Sequence, residues 1–401
     1  MKIVRIIYEW PPPWLPLSPV SYELTKSQVG LGHEVDVFCA RWPNSGHIEE
    51  LKGARLHPVW RAPIQGSVII TSSILLFFKY LFWQRPSRPD VIHSHGHFAI
   101  WIYMYRLFLD RFFPWANELK TPLVVHFHNT VMGRWEKLKS ENKKINPISQ
   151  FLDWPLGVFS DKLAIKVGAA YVFVSEELKN EAIKYYKADA KKCFVIESGV
   201  NTKLFTSVTL EEREKSRKEL GYELSDKVIL YVGNLVERKN VDVLYEALLH
   251  LPQHYKLLVV GADGPEDFMI KLAEIVEKNK AVLDERIIRI KTTPYPQIPI
   301  AYQLSDIFVL PSSWEGLPKV VMEALACKLP VLASGFKVID DVKGLEYLTE
   351  LDPEYLAKKI QDMILNPREV DLYNIVHNHS WDTKARQIES VYKFAQETHM
   401  Q

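Results

Sequence analysis

The chain has 401 residues, 47% of them hydrophobic and 25% charged, and its net charge is +1. That is an ordinary globular composition with room for about two domains, and so balanced a charge excludes the basic field of a nucleic-acid binder. Three cysteines, Cys39, Cys193 and Cys327, lie too far apart in sequence for a metal-ligand spacing or a disulfide framework, which fits a reducing compartment.

The opening run KIVRIIY reads as a first strand. It is too short for a signal peptide and ends in Glu9, Trp10 and Pro11 without a small-residue cleavage site. A helical stretch, SPVSYELTKSQVGLG, leads to the strands EVDVFCA and ARLHPVW. Ser67 to Trp83 is the long apolar stretch of the chain; Lys79 interrupts it and it is slightly short for a membrane span, so burial on the sheet is expected. DVIHSH, PLVVHFH, AYVFVS and CFVIES complete the strands of the first half, with the helix EELKNEAIKYYK before the last.

The stretch VTLEEREKSRKELGYELSD is strongly charged and holds no buried strand. After it the pattern restarts with KVILYVG, YKLLVVG, RIIRI, DIFVLP and PVLAS, joined by helices such as NVDVLYEALLHL and EDFMIKLAEIVEKN. Continuous apolar strands alternating with helices predict parallel sheets covered on both faces. The fold class is therefore α/β, with two doubly wound domains, 1–205 and 206–381. They are expected to face each other across a cleft with the C-terminal ends of their strands, where ligands bind in such sheets. The last helix, about 382–401, is expected to pack back on the first domain.

The most informative stretch is LPSSWEGLPKVVMEALACKLPVLAS, Leu310 to Ser334. A strand runs into a polar turn with Glu315 and Gly316, Pro318 fits the first turn of a helix, and Glu323 follows eight residues after Glu315. The free N–H groups of Lys319, Val320 and Val321, with the helix dipole, make an anion site. Glu315 and Glu323 can lie beside it and accept hydrogen bonds from sugar hydroxyls. A merely structural Glu315 would complement the dipole, but Glu323 sits among apolar residues, where an unpaired carboxylate is costly. In VGNLVERKN a strand ends in Gly233, and Arg238 with Lys239 precede a helix, an arrangement that suits a diphosphate. VGADGPED repeats the strand–glycine–helix device one unit later. Histidines end two earlier strands: His93, His95 and His97, then His126 and His128. Zinc would need these to converge across strands; a hydrogen-bonding site is the favoured reading, and no metal is assigned.

Taken in order, EWPPP, GHEVDVF, PDVIHSHGH, TPLVVHFHN, VSEEL, ESGVN, VGNLVERKNVD, VGADGP and the E-x7-E unit resemble retaining glycosyltransferase family 4 along nearly the whole chain. The resemblance implies the GT-B fold of two Rossmann-like domains and transfer of a sugar from a nucleotide-diphosphate donor with retention. It implies that Glu323 holds the donor ribose and Glu315 the donor sugar, and that Lys239 and Arg238 neutralise the diphosphate. Gly233, Gly316 and the N–H groups of Lys319 and Val320 complete the donor site, His128 lies near the donor sugar, and neither metal nor cofactor is used. The chain departs from the family pattern in four places, one of them Pro318, which replaces the usual second glycine after Glu315-Gly316 and is compatible with the helix start. WPPPWLPLSPVSYE lacks the usual Gly-Gly turn, Asn234 stands where arginine is common, and GFKVIDDVKGLEYL replaces a glycine-rich segment.

The first domain of such enzymes selects the acceptor. Here it carries SILLFFKYLFW, FAIWIYMYRLFLDRFFPW and GRWEKLKSENKK. Aromatic and basic residues side by side suit an anionic membrane surface, so a glycan or lipid-linked acceptor and a cytoplasmic protein, peripheral on the membrane face, are expected. Two other readings stay open: a non-catalytic nucleotide-binding or assembly partner on this fold, and a nucleotide-sugar epimerase.

Overall fold

The computed structural model describes residues 1–12, 14, 18–42, 48–61, 68–83, 88–140, 149–291, 293–338 and 342–400. The chain forms two compact units, Met1–Ser198 with Trp381–Gln401, and Gly199–Ser380. The first holds strands β1 (Lys2–Glu9), β2 (Glu34–Arg41), β3 (Ala54–Trp60), β4 (Val91–His95), β5 (Leu123–Phe127), β6 (Ala170–Phe173) and β7 (Cys193–Val195). They form one parallel sheet in the order β3-β2-β1-β4-β5-β6-β7. β4, β5 and β6 are buried at every position, as the unbroken apolar runs require of a sheet covered on both faces.

Helices α1 (Ser18–Gly30), α2 (Val68–Leu81) and α3 (Ile100–Phe112) supply three of the covers. On one face Leu76, Tyr80, Ile102 and Tyr103 from α2 and α3 pack with Phe38, Ile92 and Val125 of the sheet. On the other, Val20 and Leu24 of α1 pack with Ile388, Val391 and Tyr392 of the C-terminal helix Trp381–Met400. A buried polar chain fixes that helix in place. Arg5 of β1 donates to Thr25 (3.0 Å) and to Gln28, Gln28 donates to the Tyr392 hydroxyl (3.0 Å), and that hydroxyl meets His93 Nδ1 at 2.6 Å. Each of these side chains thereby has at least one hydrogen-bond partner, which a buried guanidinium needs in order to be tolerated.

The second unit holds β8 (Lys227–Val232), β9 (Tyr255–Val260), β10 (Ile287–Ile290), β11 (Ile307–Pro311), β12 (Val331–Ser334) and β13 (Leu345–Tyr347). Their order is β10-β9-β8-β11-β12-β13, again all parallel. β13 is absent from the sequence reading: three residues, none of them buried, give no apolar run to read. Its segment, GFKVIDDVKGLEYL, lies partly outside the described residues. The charged stretch after Ser207 becomes the helix Leu210–Glu219, opened by a capping box in which Thr209 and Glu212 satisfy each other's backbone N–H. Arg213 and Arg217 from that helix grip Asp306 at 2.7 and 2.5 Å, anchoring it to the sheet.

The sequence places the unit boundary near 205, but the segment through Phe205 belongs to the second unit. Val200 N–H donates to His379 C=O at 2.8 Å, and the Phe205 ring packs on Tyr295 and Tyr302. Among the described residues no helix is long and apolar enough to cross a membrane. The Ser67–Trp83 stretch, whose first residue lies outside those described, is not wholly buried: Leu76 and Tyr80 of α2 face the core, while Leu75, Phe78 and Phe82 are exposed.

Candidate active site

In the second sheet the strand order reverses between β8 and β11, which pair directly. The loops leaving the C-terminal ends of two such strands frame a crevice, the usual ligand site of an open α/β sheet. β8 leads into Gly233 and, past a short turn, to Arg238 and Lys239; β11 leads into Ser312, Trp314, Glu315 and Gly316. Topology therefore brings together two motifs about eighty residues apart.

The two loops are knitted together atom by atom. Asn240, held left-handed at φ 47°, donates its side-chain amide to the Pro311 carbonyl (2.8 Å) and to Ser313 Oγ (2.9 Å). Ser313 N–H donates to the Arg238 carbonyl at 2.8 Å. Arg238 donates to the Trp314 carbonyl (3.1 Å), and its guanidinium lies 4.7 Å from the Trp314 ring centre. Glu315 then receives Arg238 Nη1 at 2.9 Å, Ser312 Oγ at 2.8 Å and Lys239 Nζ, all on Oε1.

The electrostatics follow from that geometry. Burial alone would raise the Glu315 carboxyl, but Lys239 and then Arg238, with the Ser312 hydroxyl, hold it below the usual range. Burial draws the Lys239 ammonium down, against the pull of Glu315. Two cations on one carboxylate leave a net positive charge in a largely buried place, and an anionic ligand would complete the balance.

Pro318 is the N-cap rather than the first helical residue, and the helix Lys319–Ala326 starts immediately after it. Its N-cap makes no side-chain hydrogen bond, so nothing on that side chain competes for the first N–H groups, those of Lys319 and Val320. Glu323 is the fifth residue of the helix and only 7% exposed. The buried Tyr302 hydroxyl donates to its Oε2 at 2.9 Å. Burial raises the Glu323 carboxyl, with Lys319 and Tyr302 opposing. Seven of the nine residues singled out by the sequence thus share one neighbourhood: Arg238, Lys239, Glu315, Gly316, Lys319, Val320 and Glu323 lie on the β8 and β11 loops or the helix that follows. Gly233 supports it from the end of β8, donating its N–H to Val260 C=O at 2.9 Å.

His128 belongs to the first unit. It follows β5, is half-buried, and its Nε2 lies 2.9 Å from His95 Nδ1. Side chains two apart on a strand share a face, and β4 pairs with β5 so that His95 faces His126. His93, His95 and His126 consequently form a row of near-parallel rings, 4.6 to 5.5 Å between centres. Burial, reinforced by neighbouring Arg5 and histidines, keeps all three well below their usual range and hence neutral. Their donor atoms lie within 4.8 Å of one another. Stacked imidazoles direct their lone pairs side by side rather than onto one ion, whose bonds to nitrogen span only about 2.0–2.1 Å, and Arg5 adds a resident positive charge. The geometry does not favour a cation there.

The sequence reading missed Tyr302, Ser312, Asn240 and Gly335. Gly335 has a readable cause: at φ 85° it favours glycine, and an added Cβ would sit 2.5 Å from the Ser312 carbonyl and 2.8 Å from Trp314 N. Its own carbonyl accepts the Glu315 N–H at 2.7 Å. Gly335→Ala is expected to push the Glu315 turn aside, costing about 1–3 kcal/mol of stability. Thermal unfolding would show the loss; a variant that melts like wild type would mean that Gly335 does not support the Glu315 turn.

Two family descriptions divide the chain: "Glycosyltransferase Family 4" matches residues 18–204 and "Glycosyl transferases group 1" matches 212–388. TuaC of Bacillus subtilis strain 168, a glycosyltransferase named for teichuronic acid biosynthesis, is 32% identical over 379 residues, covering 87% of this chain and 83% of TuaC. Among solved structures, sucrose-phosphate synthase from Thermosynechococcus elongatus superposes with a TM-score of 0.75 at 18% identity, covering 98% of each chain. Anabaena HepE, solved in complex with UDP and glucose, gives 0.68 at 16% identity, with 97% of this chain and 98% of HepE covered.

Proposed function

The chain belongs to glycosyltransferase family 4, and from that premise we propose that it transfers a hexose from a nucleotide-diphosphate sugar to a glycan or lipid-linked acceptor, with retention and without a divalent metal. The observation that carries the reading is the largely buried Arg238–Lys239–Glu315 cluster at the β8/β11 reversal, beside the helix that bears Glu323. Arg238, Lys239 and the N–H groups of Lys319 and Val320 take the diphosphate, Glu323 the ribose hydroxyls, and Glu315 the hydroxyls of the donor sugar. The bond from the sugar's anomeric carbon to the diphosphate oxygen breaks while the acceptor oxygen bonds to that carbon on the same face. The acceptor proton passes to the departing phosphate oxygen. No protein nucleophile is assigned, so the rate depends on stabilising the leaving diphosphate. The UDP and glucose of HepE support a nucleotide-sugar donor, and the name of TuaC supports a glycan product. A part for His128 in the transfer, and a cytoplasmic location at the membrane face, are proposed on the family resemblance and the surface chemistry respectively.

Release of nucleoside diphosphate from a panel of nucleotide sugars, in chelator, with and without a lipid-linked acceptor, tests the reading. Transfer that Lys239→Ala lowers by about 10²–10³-fold is expected. Conversion of the donor to its epimer without an acceptor, or binding without turnover, would contradict it.

A further inference from the structure

The outer faces of α2 and α3 are apolar where a soluble helix is ordinarily polar. Leu75 and Phe78 stand at helical spacing on α2, with Phe82 just past its end, and Met104, Phe108 and Phe112 on α3; all six are exposed, Phe82 by 75%. The two helices pack against each other, with Phe77 edge-on to Tyr105 at 5.6 Å in the seam, so the rows form one surface. Phe113 and Trp115 extend it past the end of α3, Trp115 being 73% exposed. Beyond α2 the surface opens into a groove of about 720 Å³ against the edge strand β3, lined by Trp60, Leu75, Phe78, Phe82 and Trp83, with Lys79 in its wall. Scattered exposed apolar residues need no explanation, but a contiguous patch does.

We propose that this face docks the protein on an anionic lipid bilayer, with a lipid hydrocarbon chain entering the β3–α2 groove. Charge decides between a bilayer and other apolar partners. Lys79 stands within the patch and Arg111 and Lys120 beside it, all exposed, while α2 carries no acidic residue in its described part and α3 only Asp110. Lysine and arginine stems lie along apolar surface while their heads reach lipid phosphates. Phenylalanine and tryptophan with a basic rim form the composition of a helix lying in the interface plane. The inference rests on the transferase reading only for the statement that the acceptor is the lipid-borne one; docking itself is read without turnover.

Vesicle sedimentation of the whole chain provides the test. Phosphatidylcholine vesicles with roughly one-third phosphatidylglycerol should bind the protein at least tenfold better than pure phosphatidylcholine, and rising salt should erode the difference. The triple variant Phe78→Ser, Phe82→Ser, Phe108→Ser should lose binding about tenfold or more, and the double variant Lys79→Glu, Arg111→Glu should lose the preference for anionic lipid. Circular dichroism and thermal unfolding of the whole chain, close to wild type in both variants, would certify that the first unit is folded. Equal binding by wild type and the triple variant would overturn the proposal. So would a wild-type dimer that the triple variant dissociates and that ignores vesicles.

Discussion

Glu315→Gln is expected to cut glycosyl transfer by about 10²–10³-fold while leaving nucleoside diphosphate bound at least as tightly as in wild type. Glu315 carries the charge that Arg238 and Lys239 face. A diphosphate arriving at those cations competes with it, and its departure from them frees the carboxylate for the sugar hydroxyls. Glutamine keeps the shape and removes the competitor. The same substitution strands two cations in a mostly buried place, so the ligand-free protein should lose about 3 kcal/mol of stability, which nucleotide then restores. Single-turnover rates and calorimetry on one preparation separate these effects. A variant that loses nucleotide binding along with turnover would make Glu315 a structural tie between the loops and nothing more.

Glu323→Ala should act on binding first. Two charge-assisted hydrogen bonds to ribose hydroxyls, each of about 1.5–3 kcal/mol, are lost, so the dissociation constant for nucleoside diphosphate rises by about a hundredfold or more. The pH dependence has a definite sign. Burial raises the Glu323 carboxyl in the folded chain, so its contribution to stability is fully present at acid pH and is lost as pH rises through the raised value. A ligand that donates hydroxyl hydrogen bonds to the ionised form offsets that loss, and affinity should therefore strengthen with pH over the same window. The alanine variant should lose this component; an unaltered pH profile in it would move the ribose contact elsewhere.

The two sheets were readable because their strands are near-continuous apolar runs broken by glycine turns, a pattern that local sequence carries in full. The spacing of Glu315 and Glu323 was readable for the same reason: a turn followed by a helix start is local, and it puts one carboxylate before the helix and the other inside it. What the sequence did not carry is non-local. Tyr302 lies on another helix and meets Glu323 only through tertiary packing. Asn240 shows its worth only when the β11 turn is in place to accept its hydrogen bonds. The pairing of Glu315 with Arg238 and Lys239 needed the β8 and β11 loops to be adjacent, which follows from strand order and not from either motif. The histidines looked alike in sequence, yet His93 is tied to the C-terminal helix through Tyr392 and His95 to His128. The mixed fate of α2, half in the core and half exposed, reflects how long apolar runs can serve two surfaces at once.

Titration of the whole protein with UDP, GDP, ADP and their common sugar conjugates in chelator, followed by calorimetry and thermal unfolding, tests the central claim most directly. The account predicts that one base is bound without metal and that at about 100 times its dissociation constant it adds roughly 2.7 kcal/mol of stability, with the increment lost in Glu323→Ala. Absence of binding by every nucleotide, or binding that Glu323→Ala leaves intact, would contradict it.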